Sequence, residues 1–544
     1  MGMNAVSGGL IKKGSKDLTI ELPQGTSTIT ASNLGNGLGI SDSAIGFDEE
    51  TGIPPAAQPD QNAPFGGLTV AEGTLRLIGM GSGKTVVDQK HALLIGGGGA
   101  LDHPATLEIS GLRMNQGDSG VHCFIGGAVS AGSAATNSVL RVIDGAYFDA
   151  DTVNLARKPH DYGDGRAFAN HVLAVTNATV SVSWVLNVGN NSDRDLKGSF
   201  EIGEGGVVEV RGTCIEVQGG IGAAVSGGGI LRALGSAGNT ESGYGLYFQN
   251  FVWGELNFDN GGILDVRAVK SSRNIPQAIP LTLNFDGGIF KVRGTGAVSM
   301  SSDVEKRTFN AGANGMFIDV EDAASRHTVV MPVNGVGGIV KTGAGDLFFA
   351  KCAQVREEIT VIENVYTLNC EGVSSVKAGS LTIESGAARE DLKVSVAQGA
   401  QLRISGDQTL GAISGGGTVT SGRLTSDIAG DPNGGTFVVE NADAAVSALS
   451  CTINRKASDT LEADEVPLFE NIALSRVVVD FGAVGDTELK AGKSPVARIG
   501  EGVGFSPSVW KSVNRPPLTT ADFSVEDGVV YAHLEKSGMI LIVR

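Results

Sequence analysis

The residue types that could carry chemistry gather in one stretch, from Arg157 to His171. It holds Arg157, Lys158, His160, Asp161, Tyr162, Asp164, Arg166 and His171. If the chain is an enzyme, His160, Asp161, Asp164, Arg166 and His171 are its candidate catalytic residues. Carboxylates and imidazoles move protons, and cations neutralise a uronate carboxylate. The reaction would then be polysaccharide cleavage, by a lyase or a glycoside hydrolase. The plainer reading, and the preferred one, is an exposed loop that interrupts two β rungs and keeps its charges in water. On that reading no residue is catalytic.

Other chemistry-like patterns dissolve on inspection. Gly81-Ser82-Gly83-Lys84-Thr85 resembles the end of a phosphate loop, but the first glycine of G-x-x-x-x-G-K-[ST] would fall on Ile78, and Val86-Val87-Asp88 does not begin a helix. A turn between rungs explains it better. Asp102 and His103 precede Pro104 in a turn, and His122 is expected in or beside a core next to Cys123. Asp193 and Asp195 could serve calcium, yet the glycine-aspartate nonapeptide of calcium β-rolls is absent. No histidine or cysteine set has metal-ligand spacing, and no G-x-S-x-G elbow occurs, so neither a metal nor a cofactor is expected. Cys123, Cys214, Cys352, Cys370 and Cys451 are odd in number and widely spaced. Only Cys352 and Cys370 are close enough to suggest a pair, and buried free thiols are the better expectation.

The elements around these residues are repetitive. Gly8-Gly9-Leu10-Ile11-Lys12-Lys13-Gly14-Ser15-Lys16-Asp17-Leu18-Thr19-Ile20 returns as Gly337-Gly338-Ile339-Val340-Lys341-Thr342-Gly343-Ala344-Gly345-Asp346-Leu347-Phe348-Phe349. Second elements follow at Val70–Leu77 and Val376–Ile383, with a relative at Val396–Ile404. Each reads as a short strand of alternating apolar and polar residues, closed by a glycine that permits a sharp turn. One such rung cannot bury its own apolar face, so successive rungs must stack. Further rung families include Leu94-Ile95-Gly96 leading to Leu107-Glu108-Ile109, and Phe124-Ile125-Gly126 leading to Leu140-Arg141-Val142. Asn187-Val188-Gly189 likewise leads to Phe200-Glu201-Ile202. The segment Asn257–Arg267 is echoed by Asn284–Arg293, which places Phe258 and Phe285 one coil apart. No stretch shows a helical period. The expected fold is all-β, a parallel β-helix (solenoid) over residues 1–465, with a small β-rich C-terminal cap over residues 466–544 that contains Trp510, Pro516 and Pro517.

Composition agrees. Among 544 residues there are 80 glycines and only 16 prolines, with 41% hydrophobic, 18% charged and 5% aromatic residues. That composition suits many short strands joined by glycine turns, and the absence of a three-residue period excludes collagen. A net charge of −18 repels phosphate backbones, so no nucleic-acid partner is expected. No run of apolar residues is long enough for a membrane helix, and no membrane insertion is expected. Met1–Gly9 lacks the features of a secretory signal, and a repeat begins at Gly8, as in a fragment of a longer protein.

The element G-G-[LI]-x-K-x-G-x-x-x-L-x-[LI], followed by V-x-x-G-[ST]-L-x-[LI], resembles the autotransporter-associated β-strand repeat, also called the passenger-associated transport repeat. The resemblance implies a bacterial passenger-like protein, extracellular or at the cell surface. Its expected role is a scaffold or adhesin-like module, with glycans or surface proteins as partners. It departs from self-exporting members at the C-terminus, where the final segment, Phe523–Tyr531 to Met539–Arg544, is expected to hold two or three strands, too few for a membrane barrel of at least about eight. A polysaccharide-degrading β-helix is the first alternative. A trimeric fibre of the phage tail-spike kind is the second.

Overall fold

A computed structural model describes residues 10–12, 17–22, 25–29, 68–70, 73–80, 85–89, 93–96, 104–115, 122–126, 137–156, 169–189, 196–235, 245–249, 252–271, 281–293, 296–298, 307–351, 366–405, 408–410, 412–414, 418–421, 437–439, 449–454, 463, 466, 468–469, 474–481, 492–500, 502–516 and 519–536. Among them the fold is almost wholly β, built on long parallel sheets, as a β-helical solenoid requires. No helix among the described residues is long and apolar enough to cross a membrane. Contacts divide the chain into two units, Met1–Arg293 with Ser299–Thr308, and Gly294–Val298 with Phe309–Arg544.

In the first unit three rows of parallel strands recur in strict order. The first row holds Leu68–Val70, Leu93–Ile95, His122–Ile125, the end of Tyr147–Leu155, the end of Thr179–Val188, Ile215–Val217, Gly245–Phe248 and Ala268–Ser271. The second runs from Leu18–Leu22 through Gly73–Gly79, Ala105–Ser110, Val139–Ile143, Ala169–Thr176, Leu196–Ile202, Gly220–Val225 and Trp253–Asp259 to Leu281–Asp286. The third includes Thr85–Gln89, Arg113–Asn115, the starts of the two long strands, Val207–Val210, Ile230–Ala233, Ile263–Val266 and Gly288–Val292. The link from first to second row is Gln218 and Gly219 alone in one coil and residues 156–168 in another, without loss of register.

Alternation along each strand decides what is inside. In the second row Leu75, Leu107, Leu140, Leu173, Phe200, Ala223, Leu256 and Leu283 form one buried column. Leu77, Ile109, Val142, Val175, Ile202, Val225, Phe258 and Phe285 form a parallel one. Fully burying one such side chain is worth about 1.5–3 kcal/mol, so the core's weight is spread evenly along the rows. Phe258 and Phe285 pair in register, as their spacing predicts, and their rings stack at 4.9 Å.

The paired glycines before third-row strands do two different jobs. The first of each pair takes the left-handed conformation, with φ of 63° at Gly205, 80° at Gly228 and 81° at Gly261. The second lies under the preceding coil: a Cβ on Gly262 would sit 2.0 Å from the Val225 carbonyl oxygen.

The second unit repeats the scheme. Met316–Val320, Ile339–Thr342, Ser374–Val376, Lys393–Val396 and Ala412–Ser414 make one parallel row. Gly296–Val298, Arg326–Val329, Asp346–Phe349, Ser380–Glu384, Gln401–Ser405, Thr418–Ser421, Leu449–Asn454, Leu474–Asp480 and Trp510–Val513 make another. The expected 465/466 boundary falls between Leu449–Asn454 and Leu474–Asp480, which themselves pair in parallel. An antiparallel group does occur beyond it: Gly492–Ile499 and Thr519–Glu526 both flank Val529–Lys536. Trp510, on the last parallel strand, packs its buried ring 5.9 Å from Phe523 of that group.

Candidate functional site

His160, Asp161, Asp164 and Arg166 lie outside the described residues, so His171 is the one candidate whose surroundings are defined. It shares the inward parity of Leu173 and Val175 on Ala169–Thr176 and is 1% exposed. Its Nδ1 accepts the Ser138 backbone N–H at 3.1 Å. Gly126 makes room for the ring, since a Cβ there would lie 1.9 Å from Nδ1. Burial pushes the imidazole pKa down to about 4. His171 is thus a neutral core residue turned away from solvent.

The remaining sequence patterns are structural where they are described. Thr85, which closes the phosphate-loop-like pattern, begins strand Thr85–Gln89 rather than a helix. Cys123, Cys214 and Cys370 carry free, buried thiols that burial pushes above their ordinary pKa. Cys352, Asp102, His103, Asp193 and Asp195 lie outside the described residues, as does the side chain of His122. Asp259 and Asp286 pair in register, and burial with the neighbouring Asp286 charge raises the Asp259 pKa. Among the described residues no group of three or more His, Cys, Asp or Glu side chains could hold a metal.

The repeat element shows what its polar residues are for. Lys341 is buried, and its Nζ donates to the carbonyls of Thr342 at 2.6 Å, Gly343 at 2.9 Å and Ala378 at 3.2 Å. Burial lowers its pKa to about 8, against the opposing pull of Asp319 and Asp346. Asp346 accepts from Ser380 at 2.6 Å, Thr382 at 2.9 Å and Arg326 at 2.7 Å. Ala378, Ser380 and Thr382 all belong to the following element, so lysine and aspartate tie one element to the next. In the first copy Leu18 pairs with Leu75, which sets Arg76 at the Thr382 position, and Arg76 binds Asp17 at 2.9 Å.

Polar residues form columns as well, some at the surface and some, such as Asp265, Asn154 and Asn187, buried. Arg76, Glu108 and Arg141 stack in register in the second row, with Glu108 3.4 Å from each arginine. In the third row Glu209, Arg232 and Asp265 follow one another, and the Asp265 carboxylate takes Arg232 at 2.8 Å and Arg293 at 2.9 Å. Asn187 donates to Asn154 at 3.0 Å and Asn284 to Asn257 at 2.7 Å, each across one coil.

The regularity breaks between Leu449 and Ser450, where the pairing with Leu474–Asp480 shifts register, and at a second place in the first unit. Opposite the single residue Asp151, the strand Thr179–Val188 carries both Ser183 and Trp184, a β-bulge that leaves both exposed. Trp184 is 53% exposed. Its carbonyl accepts the Thr213 N–H at 2.7 Å and the Thr213 hydroxyl at 2.9 Å, and Gly212 lies against its backbone. Beside it the Arg211 guanidinium reaches Asp149 at 2.9 Å and the Ser183 hydroxyl at 3.2 Å. Arg113 approaches the other Asp149 oxygen at 3.9 Å and lies over the Tyr147 ring at 4.7 Å. Sequence reading passes over this group because it is not dense in catalytic types. The available signal is the extra residue in Val182-Ser183-Trp184-Val185 relative to Ala150-Asp151-Thr152 of the coil before.

No protein-family model and no curated protein matches this chain.

Proposed function

We propose that the chain is a passenger-like scaffold of a bacterial cell surface, an acidic chain of β-solenoid coils whose outer faces and loops are its working parts. The observation that carries this reading is the in-register stacking of columns of like residues over successive coils of the first unit, which spreads the sequence's effort over many equivalent rungs. The repeat element supports it from the sequence side, since Lys341 and Asp346 serve cohesion between elements. The one described member of the polysaccharide-cleavage candidates, His171, is a core residue, which leaves a scaffold role as the simpler account.

Treating intact cells of the source organism with a protease, then blotting for the chain, tests the proposal. A surface scaffold is cleaved on intact cells at its loops. A chain that stays whole until the cells are lysed would sink the reading.

A further inference from the structure

The bulge at Trp184 has a geometry that a scaffold alone does not need. Among the described residues Trp184 is the bulkiest of the exposed hydrophobic side chains, and leaving its indole in water costs hydrophobic free energy. Here it is held out on a fixed backbone: the bulge supplies the extra residue, Thr213 holds the Trp184 carbonyl with two hydrogen bonds, and Gly212 allows the close approach. A rigid aromatic platform of this kind binds without a large ordering penalty.

We infer that Trp184, Ser183, Arg211 and Asp149 form a subsite for a neutral pyranose residue of a glycan. The inference rests on the surface-scaffold reading and names what one part of that surface holds. A pyranose has an apolar C–H face, which can lie on an indole ring, and a rim of hydroxyls that each need a donor and an acceptor. The Ser183 hydroxyl supplies both roles and Asp149 supplies acceptors. Arg211, whose side chain is 50% exposed, keeps donors beyond those given to Asp149 and Ser183. Selection against anionic sugars comes from the chain as a whole, whose net charge of −18 repels a polyanion, and not from the group, where Asp149 lies between Arg211 at 2.9 Å and Arg113 at 3.9 Å.

Binding is measured by isothermal titration calorimetry, which does not depend on the indole that the variants replace; the parent's tryptophan emission is recorded beside it, with Trp253 half-buried and Trp510 4% exposed. The full chain is titrated separately with cellohexaose, mannohexaose and maltohexaose, with polygalacturonate as the anionic comparison. At least one neutral hexaose shifts the emission to the blue at millimolar concentration. Trp184→Ala weakens that binding by about tenfold or more, equivalent to about 1.4 kcal/mol. Trp184→Tyr retains part of it, and Arg211→Lys weakens it about threefold, both with an unchanged circular dichroism spectrum. The subsite is overturned if none of the three hexaoses binds, if Trp184→Ala binds like the parent, or if polygalacturonate alone binds. Any of those results leaves the surface assignment standing, because protease access on intact cells reads it independently.

Discussion

Acid should loosen the coil around His171, by an amount that follows from its burial. The folded imidazole has its pKa pushed down to about 4, while an unfolded histidine titrates near 6.5. As pH falls through 6.5 the unfolded chain takes up a proton that the fold refuses until about 4. Stability is therefore complete above 6.5, declines between 6.5 and 4, and falls no further from this group below that. At about 1.4 kcal/mol per pH unit the full loss is about 3 kcal/mol, of which about 2 kcal/mol is gone by pH 5. Because solenoid coils open locally, hydrogen–deuterium exchange is the suitable assay. After correction for intrinsic exchange, peptides spanning Ala169–Thr176 should lose about 30-fold protection between pH 7.5 and pH 5. His171→Gln keeps an oxygen that can accept the Ser138 N–H but has no proton to gain, so its pH-dependent loss should nearly vanish. Peptides covering Arg326–Val329, where burial also pushes His327 down to about 4, should keep their acid sensitivity in that variant. Equal losses at Ala169–Thr176 in parent and variant would refute the reasoning.

Three further perturbations test other parts of the fold. Gly262→Ala drives a Cβ to 2.0 Å from the Val225 carbonyl oxygen, and should cost about 2 kcal/mol or more, seen as a lowered thermal midpoint; an unchanged midpoint would mean the coils are not packed this closely. Lys341→Met withdraws the donor from three carbonyls and should cost about 1–3 kcal/mol, read as faster exchange in Ile339–Thr342 and Ser380–Glu384. Asp265→Asn removes the charge between Arg232 and Arg293, and should cost about 1–2 kcal/mol in urea unfolding because the arginines remain partly hydrated.

Much of the fold was legible because its signals are local. Alternation in Leu75-Arg76-Leu77 or Leu107-Glu108-Ile109 says which side chains go in, and the Phe258–Phe285 spacing gives the length of its own coil, though other coils in the row are longer or shorter. The paired glycines mark turns, although the reason the second must also be glycine, contact with the coil before, is visible only in three dimensions. The candidate site was less legible. His171 was grouped with its charged neighbours by residue type, while its alternation with Leu173 and Val175 already placed it inside. Trp184 has no local signature at all; its exposure depends on the mismatch between its own strand and the one a coil earlier. Lys341 is conspicuous in the repeat, yet its role depends on the Ala378 carbonyl of the next element.

The unequal links between the first and second rows have a practical meaning. Register survives whether the chain crosses that corner with Gln218 and Gly219 alone or with residues 156–168. Ladder pairing fixes each coil before its connection is considered, and lengthening a loop adds closure entropy only slowly. That corner is therefore where natural variation can accumulate, and where a foreign peptide could be spliced in, one per coil, at the spacing the strands already set.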